Sequence, residues 1–237
     1  MFAKDGLGMI AGSFVVFFIS LGAAMLFPHP ALYALATVLG IFAIFNLFFF
    51  RDPERNIPQN PRAVLSPADG KVTQIVSVQE ADFFAKEVQR ISIFLSVFNV
   101  HVNRLPISGK VEYFVYRTGK FLAAFKTEAS LENEQTVIGM IDRFGHKVLF
   151  KQIAGVIARR IICNVREGQA GNAGERMGLI RFGSRVDVFV PLDANVLVKT
   201  GDTVKGGETV LATFPEEGEY ARVDETLLEL PEREPAL

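Results

Sequence analysis

Two long apolar runs open the chain, and a short-period pattern takes over after them. Residues 10–27 and 31–50 are uncharged and apolar, the second interrupted by Asn46. Each approaches the roughly 20 residues that a membrane-spanning helix needs. Pro28-His29-Pro30 separates them, which predicts two antiparallel helices with His29 in the turn and both outer ends on one side. The charges stand outside the runs, at Lys4 and Asp5 before them and at Arg51, Asp52, Glu54 and Arg55 after them. A secretory signal would have one short apolar core and then a cleavage site, so a second apolar helix directly behind the first predicts an anchor instead. The positive flanks Lys4, Arg51 and Arg55 favour the cytoplasmic side of the cell membrane. A re-entrant hairpin in one leaflet is the alternative to full spanning.

Residues 51–61 are charged and carry Pro53, Pro58 and Pro61, so they read as a linker. From residue 62 the apolar positions recur in short alternating stretches, with Gly, Pro and Asp-Gly between them. Strands are expected around 72–78, 91–98, 111–116, 135–141, 147–154, 157–165 and 186–190. Helices are expected only at 80–86 and 121–125. The body then runs over 62–228, and the charged, Pro-containing stretch 229–237 reads as a loose tail.

Residues 196–211 look like the V-x-x-G-D-x-V-x-x-G-E-x-L hairpin of barrel-sandwich hybrid domains such as biotinyl and lipoyl carriers. Ser66-Pro67-Ala68-Asp69-Gly70-Lys71-Val72 looks like its partner segment. A carrier would present a modifiable Lys flanked by Met at a hairpin tip, and no Met-Lys-Met occurs. The expected fold class is mainly β (α+β): an antiparallel β body with barrel-sandwich-hybrid-like elements and an N-terminal apolar helical hairpin.

Composition narrows the partners. With 25 basic and 26 acidic residues and a net charge of -1, there is no global field to attract nucleic acid. Cys163 is the one cysteine, which excludes an intramolecular disulfide and zinc sites built on paired cysteines; no metal site is expected. In Ile161-Ile162-Cys163 it reads as a small buried hydrophobe.

Three segments carry candidate chemistry. In Ser66-Pro67-Ala68-Asp69-Gly70, Asp69 is a turn residue or an orienting carboxylate. In Phe98-Asn99-Val100-His101-Val102-Asn103-Arg104-Leu105-Pro106, a period of two puts Asn99, His101 and Asn103 on one face. His101 is either a satisfied structural residue or a general acid or base near neutral pH. His146, in Arg143-Phe144-Gly145-His146-Lys147, reads as a hairpin residue. In Arg181-Phe182-Gly183-Ser184, a Gly-Ser bond is a plain turn unless the Ser hydroxyl is pressed against the preceding carbonyl; the chain could then cut itself there.

Taken together and in this order, these segments resemble the phosphatidylserine decarboxylases, specifically the short bacterial form, over roughly residues 50–215. Further matching pieces are Phe94-Leu95-Ser96, Glu132-Asn133-Glu134 and Gly174-Glu175-Arg176-Met177-Gly178. The resemblance implies a self-processing enzyme that converts phosphatidylserine to phosphatidylethanolamine and carbon dioxide. Ser184 Oγ would attack the Gly183 carbonyl carbon and the acyl group would move from nitrogen to oxygen. Elimination and hydrolysis would then release ammonia and leave a pyruvoyl cofactor at position 184. Its ketone would take the serine amine of the headgroup and accept the electrons released with carbon dioxide. The fragments 1–183 and 184–237 would form a heterodimer, with the phosphatidylserine headgroup at the membrane as the other partner and a higher oligomer left open.

The resemblance makes Asp69 and His101 the candidates for proton handling. It also exposes a departure. Long-form members carry a second His three residues after the first, assigned as the self-cleavage base, and that position here is Arg104, which cannot act as a base at neutral pH. Either His101 serves both steps, or Arg104 holds the lipid phosphate or carboxylate. Asn133 and Glu134 match a family motif without a chemical role of their own. The competing readings are a membrane-anchored barrel-sandwich hybrid adaptor without activity, a pyruvoyl enzyme for a soluble amino acid, and a decarboxylase of another serine phospholipid.

Overall fold

Two helices lead into a set of antiparallel sheets. The computed structural model describes residues 1–123, 129–156, 160–181 and 184–215. Helices α1 (Leu7–Leu26) and α2 (Pro30–Phe49) form the expected hairpin. Pro30 sits in the first turn of α2, and the His29 ring nitrogen Nδ1 accepts the Ala31 N–H at 3.2 Å, so His29 caps the helix. Both helices are long and apolar enough to cross a membrane, and their outward faces expose Phe18, Ile19, Val38 and Ile41. The base of the hairpin is closed by backbone bonds, Ala3 N to Phe50 O at 2.9 Å and Asp52 N to Met1 O at 2.8 Å. Its two outer ends therefore lie side by side.

The body contains β1 (Ala63–Leu65), β2 (Gly70–Glu80), β3 (Lys86–Leu95), β4 (Val102–Arg104), β5 (Gly109–Arg117), β6 (Gln135–Ile141) and β7 (Lys147–Ile153). It continues through β8 (Ile161–Cys163), β9 (Ala170–Gly171), β10 (Arg176–Ile180), β11 (Ser184–Pro191), β12 (Asn195–Val196), β13 (Thr203–Val204) and β14 (Val210–Thr213). One eight-stranded sheet has the order β13-β2-β3-β11-β7-β6-β5-β9; the two three-stranded sheets are β1-β14-β12 and β4-β10-β8. The hairpin-like stretch 196–211 does meet its expected partner. Val204 pairs with Gly70, the Ser66 and Gly207 backbones bond to Thr209 and Ser66, and β1 pairs with β14.

Strand parity divides the large sheet's faces. Val186, Val188, Val148 and Phe150 join the main core with residues of both small sheets, including Val64, Met177 and Leu211. Phe189, Leu149, Val88 and Val137 form a second core on the reverse face. A third cluster joins the hairpin base to the body through Phe49, Phe50, Val100, Val102 and Leu179.

Several expectations need correction. Residues 80–86 are not helical: β2 runs to Glu80, whose carboxylate accepts the N–H groups of Asp82, Phe83 and Phe84 at 3.0, 2.8 and 2.9 Å and so closes a turn. Of the helix expected at 121–125, residues 121–123 are not helical and the rest lies outside the described residues; a short helix, α3 (Ala129–Glu132), follows. The strand expected at 91–98 starts at Lys86 and stops at Leu95, because Asn99 Oδ1 accepts from Ser96 N and Ser96 Oγ, both at 2.8 Å, and turns the chain. Asn99 therefore does not share a strand face with Asn103. Cys163 is half-buried at the margin of the main core. The tail 229–237 and the end of the body from 216 lie outside the described residues.

Candidate active site

The three candidate segments converge at one end of the large sheet. β3 lies between β2 and β11 and is antiparallel to both, so the start of β2, the end of β3 and the start of β11 lie together. Lys71 pairs with Phe94, and Leu95 pairs with Ser184. Asp69 precedes the first strand, Ser96 follows the second, and Gly183 precedes the third. Gly70 is needed for this approach: a Cβ there would lie 2.3 Å from the Phe94 carbonyl oxygen. Phe182 and Gly183 lie outside the described residues, so of the Arg181–Ser184 segment only Arg181 and Ser184 are placed.

Ser184 is fully buried, and its Oγ has no hydrogen-bond partner among the described residues. An unpaired buried hydroxyl costs about 1–3 kcal/mol, which marks the position as serving something other than stability. By parity its side chain lies on the main-core face with Val186 and Val188.

His101 is 2% exposed. Its Nε2 lies 3.1 Å from the Ser96 carbonyl oxygen, which can only accept, so Nε2 carries the proton and the lone pair of the neutral ring is on Nδ1. Nδ1 makes no hydrogen bond of normal geometry. The ring stacks on Phe49, the last residue of α2, with centroids 4.2 Å apart. Burial pushes the His101 pKa from 6.5 down to about 4; the Ser96 and Ile180 carbonyls pull it up and Arg51 pushes it further down. Desolvation wins, so the imidazole is neutral at physiological pH and available as a base.

Asp69 is held from two sides. Arg55 Nη2 donates to its Oδ1 and Oδ2 at 2.9 and 3.0 Å, and Gly206 N–H donates to Oδ1 at 2.8 Å. No hydrogen bond joins Asp69 to His101 or Ser184, so the three are neighbours by topology but not a bonded triad. Arg104 Nη1 donates to Gly174 O at 2.9 Å, and its Nη2 donates to Asp52 Oδ1 at 3.0 Å and to Pro53 O at 3.2 Å. Asp52 also takes Arg176 Nε at 2.5 Å. Arg104 thus clamps residues 51–55 to the body. The stretch read as a linker is a pinned strap, with Asp52 and Arg55 buried as ion pairs.

Asn133, known from the sequence only as part of a motif, and Gln152, which the sequence did not single out, are both buried amides. Asn133 Nδ2 donates to the Leu122 and Ala154 carbonyls, both at 2.8 Å, and its Oδ1 accepts Leu122 N–H at 2.9 Å, so it staples the chain beside the end of β7. Gln152 Nε2 donates to Asn103 Oδ1 at 2.8 Å, and both residues are buried. The signal for Gln152 was its parity: it shares a face with Val148 and Phe150, where a polar residue is out of place.

Known proteins resemble this chain over most of its length. A family model described as phosphatidylserine decarboxylase matches residues 42–212. A phosphatidylserine decarboxylase proenzyme of Symbiobacterium thermophilum is 44% identical over 203 residues, covering 86% of this chain and 93% of the relative. One of Wolbachia sp. subsp. Brugia malayi is 44% identical over 218 residues, 90% of this chain and 91% of the relative. One of Desulfotalea psychrophila is 48% identical over 167 residues, 70% and 78% respectively.

Proposed function

Because the chain belongs to the phosphatidylserine decarboxylase family, we propose that it is made as a precursor, cuts itself between Gly183 and Ser184, and then decarboxylates phosphatidylserine to phosphatidylethanolamine. The observation that carries the reading is Ser184 itself, a fully buried hydroxyl without a partner among the described residues, at the strand end where Asp69 and the His101 segment meet.

His101 is the base in this reading. Its ring is held by the Ser96 carbonyl and by Phe49, and Nδ1 makes no hydrogen bond of normal geometry among the described residues. With Arg104 engaged by Asp52, one histidine serves both self-cleavage and the later proton transfers. Asp69 holds the 66–70 turn against Arg55 and Gly206 and contributes negative charge beside the site. The unpartnered Ser184 position fits conversion to a pyruvoyl group, since no existing hydrogen bond is lost with the hydroxyl. That group would supply a carbonyl to capture the substrate amine and a sink for the electron pair left by departing carbon dioxide.

The sheet order supports a stable two-chain product. β11 lies between β3 and β7, so the fragment that begins at residue 184 supplies an interior strand of the sheet. The apolar hairpin anchors the body at the cytoplasmic face of the membrane, where the headgroup is presented while the acyl chains stay in the bilayer.

Intact mass under denaturing conditions tests the reading. Two fragments that split between 183 and 184, the smaller without a free amine, are expected, and Ser184→Ala should give one full-length, inactive chain. A single full-length mass from active wild-type protein would overturn it.

A further inference from the structure

Beside Ser184 lies a second set of buried polar atoms that the proposed chemistry has not used. Val186 pairs with Gln152 across β11 and β7, which makes Gln152 the diagonal neighbour of Ser184 on the same face. Diagonal neighbours are roughly 7–8 Å apart at Cα, within reach of a long side chain. Gln152 is bonded to Asn103, and Asn103 is two residues beyond His101. The 96–103 segment is therefore tied to the Ser184 end of the sheet at two points: at Leu95, opposite Ser184, and at Asn103, through Gln152.

Both amides are essentially sealed from solvent, and each has one half unpaired. Among the described residues, Asn103 Nδ2 and Gln152 Oε1 have no partner. Exchanging nitrogen and oxygen in both side chains changes which residue supplies which atom, but not the inventory. One amide NH2 group and one amide carbonyl always remain free. A serine hydroxyl, which both donates and accepts, is the complement of that pair. Opposite Asn103, β10 is irregular: the register shifts between Arg176 and Gly178, and Gly178 has φ +153 with no room for a Cβ against the Ile162 carbonyl oxygen.

We propose that Asn103 and Gln152 are a positioning pair for self-cleavage, holding the Ser184 hydroxyl in the orientation from which it attacks Gly183; this rests on the self-cleavage reading above. In that step a bond forms between Ser184 Oγ and the Gly183 carbonyl carbon, and the Gly183–Ser184 C–N bond breaks. The hydroxyl proton passes to a base and a proton is returned to the released nitrogen, so no redox partner is required. His101 moves the proton, and the amide pair sets the direction of the oxygen.

The test is cell-free translation of the full chain into detergent micelles, followed on denaturing gels with and without hydroxylamine, which splits an ester but not an amide. Asn103→Asp keeps the acceptor for Gln152 and loses the NH2 group. Gln152→Met keeps the volume and loses both polar atoms. Asn103→Leu/Gln152→Met removes the bond from both sides, so no half-paired amide is left to destabilise the fold. Each is expected to convert on the order of tenfold or more slowly than wild type, and hydroxylamine should release no fragments from the uncut chain, because the attack itself is impaired. The proposal is overturned if variants that melt within a few degrees of wild type convert at the wild-type rate. It is also overturned if hydroxylamine rapidly splits the uncut variants, which would place the defect after ester formation. If the double variant does not fold, the two single variants decide on the same criteria. An uncut wild type, or a cut Ser184→Ala, would instead remove the self-cleavage reading on which the pair depends.

Discussion

Ser184 stands directly opposite Leu95 in the antiparallel register of β11 and β3. The first residue of the proposed smaller product is thus already paired in the sheet before any bond is cut. Val186, Val188 and Val190 hold the same strand in the main core. Cleavage should therefore leave one particle. Gel filtration of the processed protein without denaturant should show both fragments in one peak, separable only in urea or detergent strong enough to unfold the sheet. Loss of the smaller fragment under native conditions would contradict this arrangement.

The buried, neutral state of His101 predicts an unusual pH profile. An ordinary histidine is largely protonated at pH 5, but His101, held down to about 4, keeps its base form there. Conversion of freshly translated precursor should rise through an apparent pKa near 4 and stay level from pH 6 to 8. An apparent pKa of 6.5 would exclude His101 in this environment as the base. His101→Gln should abolish conversion.

The same shift has a consequence for stability. The folded pKa lies below the unfolded value of 6.5, so between the two the unfolded chain binds a proton that the folded chain does not. Stability should fall by up to about 3 kcal/mol as the pH drops from 6.5 to 4, with no further contribution from this group below that. Urea melts of Ser184→Ala protein across this range should show the slope, and His101→Phe in the same background should flatten it.

Arg55 and Asp69 have side chains only 7% and 14% exposed. Removing Asp69 leaves the buried Arg55 with only the longer Glu208 contact at 3.8 Å, so Asp69→Ala should cost up to about 3 kcal/mol in a urea melt. Changing Arg55 to Met as well should recover part of that loss. If the double variant regains stability without regaining self-cleavage, the carboxylate has a role beyond holding the strap.

Phe98 is 68% exposed at the turn that leads to His101, and its carbonyl accepts from Arg51 Nη2 at 2.7 Å just beyond the end of α2. The ring is therefore at the level where the chain leaves the hairpin. Phe98→Ser should lower kcat/KM several-fold for phosphatidylserine in vesicles while leaving a short-chain, water-soluble analogue unaffected. Equal losses on both substrates would mean that Phe98 acts on the site and not on the membrane.

The legible parts of this molecule were those governed by a local period. The apolar hairpin, β6 at its stated bounds and the pairing of 66–72 with 196–211 all follow from patterns within a few residues. Errors arose where a side chain competed with that period: Glu80 caps a turn that composition alone reads as helix, and Asn99 ends a strand that hydrophobicity would continue. In the site, Ser184, His101 and Asp69 could be named from their motifs, and the structure brings their segments to one sheet end. The partners of Asp69 and His101 could not be named, because Arg55 reaches Asp69 through long-range geometry and Ser96 meets His101 across a turn. Arg104 shows the limit most clearly, since nothing near it in the chain announces Asp52.

Phe49 ends a helix long and apolar enough to cross a membrane and also packs as one wall against the His101 ring. Hydrophobic helices respond to the thickness of the surrounding bilayer by tilting. A hairpin that tilts to suit a thinner membrane carries Phe49 with it and changes the packing that keeps His101 dry and neutral. Cleavage rates in short-chain and long-chain lecithin vesicles would differ for wild type and converge for Phe49→Ala. The lipid surroundings would then act as a mechanical input to the base, so that the membrane whose composition the enzyme alters also helps set its pace.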